Sequence, residues 1–238
     1  ERVCLRLAAG QESDRDKLLR DLVDMQYERT EIDLESGSFR VRGGSVELIP
    51  SDRETILKLD FFGDDLERIS VIHPRTGDVI ERPEEIMIFP ATHYVLPPER
   101  TGFVLNKIQA ELDERFAELR AEENELEANR LWDRTNYDME MIREVGYCHG
   151  IENYSRHFDG REPGAPPGPL IDYFPDDALV VIDESHVTIP QLRAMVNGDR
   201  SRKKNLVDFG FRLPSAYDNR PLSFDEFMAR APQILFVS

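Results

Sequence analysis

Hydrophobic and polar positions change period several times along this chain, and each change predicts an element. From Asp14 to Met25 the apolar residues Leu18, Leu19, Leu22 and Met25 recur at helical spacing behind a Ser13 or Asp14 cap. Phe39-Arg-Val-Arg42 then alternates with period two, Gly43-Gly44 turns the chain, and Ser45–Ile49 returns as the second arm of a hairpin. Thr55–Phe62, Leu66–Ile72 and Ile86–Phe89 read as further strands, divided by Gly63-Asp64-Asp65 and Thr76-Gly77-Asp78 turns. Residues 1–96 are therefore expected to form a small, mostly antiparallel α+β domain, bounded by Pro97-Pro98.

Over residues 97–145 the period becomes helical. Leu105, Ile108, Leu112, Phe116 and Leu119 make one apolar stripe on a charged helix. A second helix follows, with Leu126, Trp132, Met139 and Ile142 as its expected buried face, so the segment reads as a helical connector. Next comes Gly160–Pro169, a loop with four prolines and three glycines, a composition that is ordered only when packed down.

Residues 146–238 carry another signal. Ala178-Leu-Val-Val-Ile182 is a continuous apolar run, the pattern of a strand buried on both faces of a parallel sheet. Gln191–Arg202 is expected to be partly helical, and Ile234-Leu-Phe-Val-Ser238 reads as a second strand. The fold class is then multidomain, α+β followed by α/β.

Candidate chemistry follows the apolar run directly, as Asp183-Glu184-Ser185-His186. In open parallel sheets, ligands sit beyond the carboxyl ends of the strands. There Asp183 would hold a nucleotide-bound Mg²⁺ and Glu184 would orient a water toward a γ-phosphate. In such an ATPase arrangement His186 would link nucleotide state to a neighbouring domain; a surface-packed imidazole is the alternative. A Gly-x4-Gly-Lys-Ser/Thr loop, the usual partner of such an acidic box, occurs nowhere in the 238 residues.

Three other groups are candidates for binding. Arg40 and Arg42 project to one face of their strand and, with Arg29, suit a carboxylate-rich partner or phosphates; a solubilising strand face is the alternative. Tyr147, Asn153, Tyr154 and Arg156 offer rings and donors of the kind that hold single-stranded bases, against the commoner packing role of tyrosines in a turn. Arg200, Arg202 and Lys203 could meet a DNA backbone, or simply end a solvated helix.

Charge limits these readings. The net charge of −17 argues against a surface that attracts nucleic acid everywhere. Residues 111–144 hold twelve acids against five arginines, whereas Arg193–Lys204 holds five basic residues and one acid, so phosphate contact must be local. Cys4 and Cys148 give no disulfide framework or metal spacing and suit a reducing cytoplasm. No stretch approaches a membrane span. Val3-Cys-Leu-Arg-Leu7 begins as a strand without a start methionine, so the chain reads as an internal stretch of a longer protein.

Several ordered motifs together carry a resemblance. They are Gly146-Tyr-Cys-His-Gly-Ile-Glu-Asn-Tyr-Ser-Arg-His157, Asp172-Tyr-Phe-Pro-Asp-Asp177, Asp183-Glu-Ser-His-Val-Thr188, Asn197-Gly-Asp-Arg-Ser-Arg-Lys203 and Phe211-Arg-Leu-Pro-Ser-Ala216 with Asp218-Asn-Arg-Pro221. With Asp24-Met-Gln-Tyr-Glu-Arg29, Phe39-Arg-Val-Arg-Gly43 and Phe61-Phe-Gly-Asp64, they resemble the UvrB family of the bacterial excinuclease system.

The resemblance implies a nucleotide-excision-repair ATPase of the DNA-damage (SOS) response with a superfamily 2 helicase core. Such a protein is loaded by UvrA, verifies damaged DNA by threading a strand behind a β-hairpin, and recruits UvrC. Residues 1–96 would then dock UvrA through Arg29, Arg40 and Arg42, with Ser36 where the family has a further arginine. Residues 146–238 would be part of a RecA-like helicase domain, with ATP and Mg²⁺ bound in the full-length protein and none expected on this stretch. A non-catalytic UvrA-binding module, as in a transcription–repair coupling factor, is the rival; the intact Asp183-Glu184 speaks against it.

Overall fold

A computed structural model describes residues 4–238, which divide into two units, one ending at Thr101 and the other running from Gly102 to Ser238. Residues 102–145 and 146–238 both fall in the second of these units.

In the first unit, β1 (Leu5–Ala8) and β2 (Gln11–Glu12) lead into α1 (Arg15–Asp24). The Val3 end of the expected first strand lies outside the described residues. Asp14 caps α1, its carboxylate accepting from the Lys17 N–H at 2.9 Å, and so satisfies one of the free donors of the first turn. Then follow β3 (Glu28–Arg29), β4 (Ser38–Arg42), β5 (Ser45–Ile49), β6 (Ile56–Phe62), β7 (Asp65–Ile72), β8 (Val79–Glu81) and β9 (Glu85–Ile88). A seven-stranded sheet runs β2-β7-β6-β5-β4-β3, with β8 added beside β7, while β1 pairs with β9 apart from it. Every pairing is antiparallel except that of β3 with β4.

Register explains the core. Phe39, Leu48, Leu57 and Val71 stand opposite one another across β4, β5, β6 and β7, as do Val41, Val46, Leu59 and Ile69. Apart from the half-buried Val41 these are buried, and Leu18, Leu22 and Met25 of α1 belong to the same core. On the other face the same pairings line up Arg40, Glu47 and Lys58, and beside them Arg42, Ser45, Asp60 and Arg68. Period-two alternation has become one dry and one charged face.

Next come α2 (Pro98–Ala121), which lies in the second unit from Gly102 onward, and α3 (Glu125–Val145), joined by a three-residue turn as a helical hairpin. Leu105, Ile108, Leu112 and Leu119 are buried as expected, with Val104 beside them. The expected face of α3 needs correction: Leu126 is 66% exposed and Trp132 sits at the margin, ring to ring with Phe116 at 4.9 Å. Ala128, Leu131, Thr135, Asp138, Met139 and Ile142 are the residues α3 buries. Short 3₁₀ turns at Ile151–Tyr154, Leu170–Tyr173 and Pro214–Asp218 and the helix α4 (Ser155–Asp159) connect these elements to the rest.

The remaining elements are β10 (Leu179–Ile182), α5 (Ser185–Asp208), α6 (Phe224–Arg230) and β11 (Gln233–Phe236). α5 runs well past the expected Gln191–Arg202 at both ends and takes Pro190 into its second turn. β10 and β11 pair in parallel, Ile182 opposite Phe236. Contrary to the expectation of burial on both faces, Leu179 and Val181 are 58% and 54% exposed, because these two strands have no further neighbour among the described residues.

Candidate functional site

The arginines divide between the two faces of the sheet. Arg29 stands opposite Phe39, hence on the α1 side, where with Leu19, Arg20, Val23, Asp24 and Phe39 it lines a groove of about 340 Å³. Arg40 and Arg42 lie on the charged face. Arg40 is not free: its guanidinium pairs with Glu47 at 2.8 Å and donates to the Ile32 carbonyl at 2.9 Å, both side chains being largely covered. Arg29 and Arg42 are exposed and make no ion pair among the described residues. Ser36 is also exposed and bridges to Ile49 at the same end of the sheet.

The acidic box lies where a parallel strand meets a helix. β10 ends at Ile182, and Glu184, in the left-handed region at φ 45°, bends the chain into α5. A non-glycine residue held there is strained by about 1 kcal/mol or more. Asp183 accepts the Glu184 N–H at 2.8 Å and its carbonyl accepts from Thr188 Oγ1 at 3.0 Å. The turn is tied to β11, since the Ser185 N–H donates to the Val237 carbonyl at 2.8 Å. Asp183, Glu184 and His186 are all exposed, with His186 Nδ1 3.4 Å from Glu184 and 3.1 Å from Ser238 Oγ. This box offers two exposed carboxylates, each with an unbonded oxygen among the described residues, rather than a cage. That suits Mg²⁺, which is commonly held by one or two carboxylates together with substrate phosphates.

The tyrosine and arginine candidates of 147–156 are largely held in the interior. Tyr154 is buried and donates to Asp138 at 2.8 Å; burial and that carboxylate push its phenol far above the usual range. Asp138, itself buried, also receives Arg134 at 3.1 Å. Asn153 folds back on the Gly150 carbonyl at 2.8 Å. Tyr147 stays half-buried, edge-on to His149 at 6.0 Å. Beside it, burial drives the Cys148 thiol up to about 12, so this cysteine is an inert part of the core.

Arg156 belongs to a network that the sequence did not disclose. Its guanidinium reaches Asp218 at 2.8 Å and Glu111 at 3.3 Å. Glu111 also meets His157 Nε2 at 2.6 Å and accepts the Ser215 N–H at 2.7 Å. Burial pushes the Glu111 carboxyl upward, but the His157 hydrogen bond, the Arg156 charge and Ser215 outweigh it and leave it lowered. Asp218 accepts the Gly164 N–H at 2.9 Å, and Arg161 reaches the Ala165 and Asp218 carbonyls at 2.6 and 3.1 Å. The Pro/Gly loop is packed down by these bonds, as its composition demanded.

Along α5 the basic run splits. Lys203 is buried, bound to Asp199 at 2.7 Å and to the Asn219 carbonyl, so it anchors the helix instead of facing outward. Arg202 is exposed and pairs with Asp199 at 2.8 Å. Arg200 is exposed, makes no ion pair among the described residues, and lies 6.0 Å from the Tyr217 ring. Two grooves, of about 360 and 450 Å³, share Arg200 and Tyr217 as a common wall.

Comparison with known sequences gives these arrangements a family. Residues 5–94 match the UvrB interaction domain, and residues 99–160 match the UvrB third helical domain. Over 98% of its length the chain is 56% identical to UvrABC system protein B of Mycobacterium tuberculosis and 57% identical to that of Bifidobacterium longum. The chain belongs to the UvrB family.

It spans about a third of the length of those curated relatives. The UvrB interaction domain corresponds to the first unit, so Arg29, Arg40 and Arg42 all lie within it. The UvrB third helical domain takes in α2, α3 and α4 together with Tyr147, Asn153, Tyr154 and Arg156. The acidic box lies beyond both matched segments but inside the stretch shared with the relatives.

Proposed function

We propose that this chain serves nucleotide-excision repair as the part of a UvrB protein that docks UvrA and contributes one half of an ATP site. The observation that carries the docking is the pair of exposed arginines without acid partners, Arg29 and Arg42, in a domain matched as an interaction domain. Because they stand on opposite faces of the sheet, the UvrA surface wraps around the β3–β4 end, with carboxylates on both sides. Arg40, clamped to Glu47, holds that end in shape.

In the same reading residues 146–238 belong to a RecA-like helicase domain. Asp183 would take Mg²⁺ and, with it, ATP; Glu184 would orient the attacking water, and His186 would relay nucleotide state. Bound ATP–Mg²⁺ supplies the phosphoryl chemistry, and this chain supplies only the acidic side of its pocket. The exposed apolar residues of β10 and β11 are where further strands of such a sheet would pair and be covered. Damaged DNA would pass the Arg200–Tyr217 grooves, and UvrC would be recruited by the complete protein in the cytoplasm.

Binding of purified UvrA to the chain tests the docking. Arg29→Glu and Arg42→Glu are each expected to weaken it roughly tenfold or more, and unchanged affinity in both would refute it. The chain is expected to show no DNA-stimulated ATP hydrolysis above a Glu184→Gln control.

A further inference from the structure

Beside the Arg200–Tyr217 grooves the chain makes a second surface of a different kind. The turn Phe209-Gly210-Phe211 leaves α5 and lies directly against α3. Gly210 takes φ +69°, and a Cβ there would collide with the Glu127 carbonyl, so the turn is fixed backbone to backbone. Its two aromatic residues nevertheless remain about half exposed, Phe209 at 53% and Phe211 at 46%.

One arginine stacks on a ring of this turn and a second binds its backbone. Arg130 of α3 donates to the Phe209 carbonyl at 2.6 Å and places its guanidinium 4.4 Å from the centre of the Phe211 ring. Arg212 donates to the Phe211 carbonyl at 3.2 Å. Neither makes an ion pair among the described residues, and the neighbouring Asp208 is taken by Lys204. In a chain of net charge −17, two arginines without acids beside two exposed aromatics are a selective feature. One face of Phe211 is covered by a cation, and the ring remains nearly half exposed.

We propose that Phe211, with Phe209, is a stacking shelf for a base of single-stranded nucleic acid whose phosphates are held by Arg130 and Arg212. An aromatic face accepts any base, and a guanidinium already stacked on the ring adds cation–π attraction beside the phosphate contact. An apolar protein partner would gain from the rings but would leave both guanidiniums desolvated and unpaired, which is costly. The inference rests on the reading that this chain meets a DNA strand.

The test is fluorescence anisotropy of a labelled oligothymidylate titrated with the full chain. Phe211→Leu keeps apolar bulk and removes the π face; it is expected to weaken binding between about fivefold and a hundredfold. Phe211→Tyr should bind within about twofold of the parent, as a π face is retained. Arg212→Gln should lower the slope of log K against log salt by about 0.7, one phosphate contact to a single strand. Leucine binding as well as phenylalanine, or tyrosine failing alongside leucine, would overturn the shelf, since either marks a packing role. A parent chain that binds no oligonucleotide would overturn the DNA reading and the shelf together. Binding by the parent that survives every substitution refutes the shelf alone.

Discussion

The seven-stranded sheet of the first unit and the β10–β11 pair of the second are both built from apolar strands, yet they finish differently. Leu48, Leu57, Leu59 and Leu66 have no exposed surface, whereas Leu179, Val181, Leu235 and Phe236 are each about half exposed. In the first sheet, α1 and neighbouring strands remove most inward apolar side chains from water, Val41 being half-buried. In the second, the apolar run serves to aim a turn, Asp183-Glu184, from a strand end. The difference separates a strand whose hydrophobicity stabilises this chain from one whose hydrophobicity serves a surface.

That contrast can be broken by substitution. Leu57→Ala or Leu59→Ala is expected to destabilise the first unit by about 2–5 kcal/mol in urea unfolding, through lost burial and the cavity left behind. Val181→Ala should cost less than about 1 kcal/mol; an equal loss at both sites would erase the distinction. Asp218→Ala asks whether the second unit has a core of its own kind. It strips Arg156 of a covered partner and frees the Gly164 N–H, so a loss of about 3 kcal/mol is expected by the same measurement.

Acid sharpens the comparison at intermediate size. The Arg220 hydrogen bond, then Ser223, hold the Glu226 carboxyl down at about 2, against an ordinary value of about 4.3. A carboxylate lowered on folding contributes stability above its unfolded value and loses it as pH falls through the folded one. Glu111, also lowered, acts in the same sense. The second unit should therefore weaken from about pH 5 down toward pH 2, and Arg220→Gln should flatten that fall in circular-dichroism melts. The smallest stability effect is expected at Arg42→Glu, within about 0.5 kcal/mol, because its side chain touches no acid; Arg40→Glu should cost more by setting two carboxylates face to face.

Much of the fold was legible because period and punctuation agree locally. The Asp14 cap, the Gly43-Gly44 hairpin and the Leu105–Leu119 stripe are each set by residues within one or two turns of themselves. What the sequence concealed is long-range. Tyr154 and Lys203 look like surface donors in a linear reading, but Asp138 and the Asn219 carbonyl draw them inward from sixteen residues away. Arg29 reads as a companion of Arg40 and Arg42, and only the parallel register of β3 with β4 moves it to the other face. Leu126 fits the apolar spacing of α3, although the stripe that packs begins at Ala128.

The network around Glu111 bears on how the molecule can be dissected. The third helical domain, judged by family likeness, ends at residue 160. Physically it does not end there: Glu111 grips the Ser215 amide and Arg156 grips Asp218, both far downstream. A recombinant piece cut at residue 160 would carry a half-dismantled salt cluster into water and aggregate or melt early. A usable piece must continue beyond Asp218, so the helical hairpin and the segment bearing the acidic box are best expressed as one polypeptide.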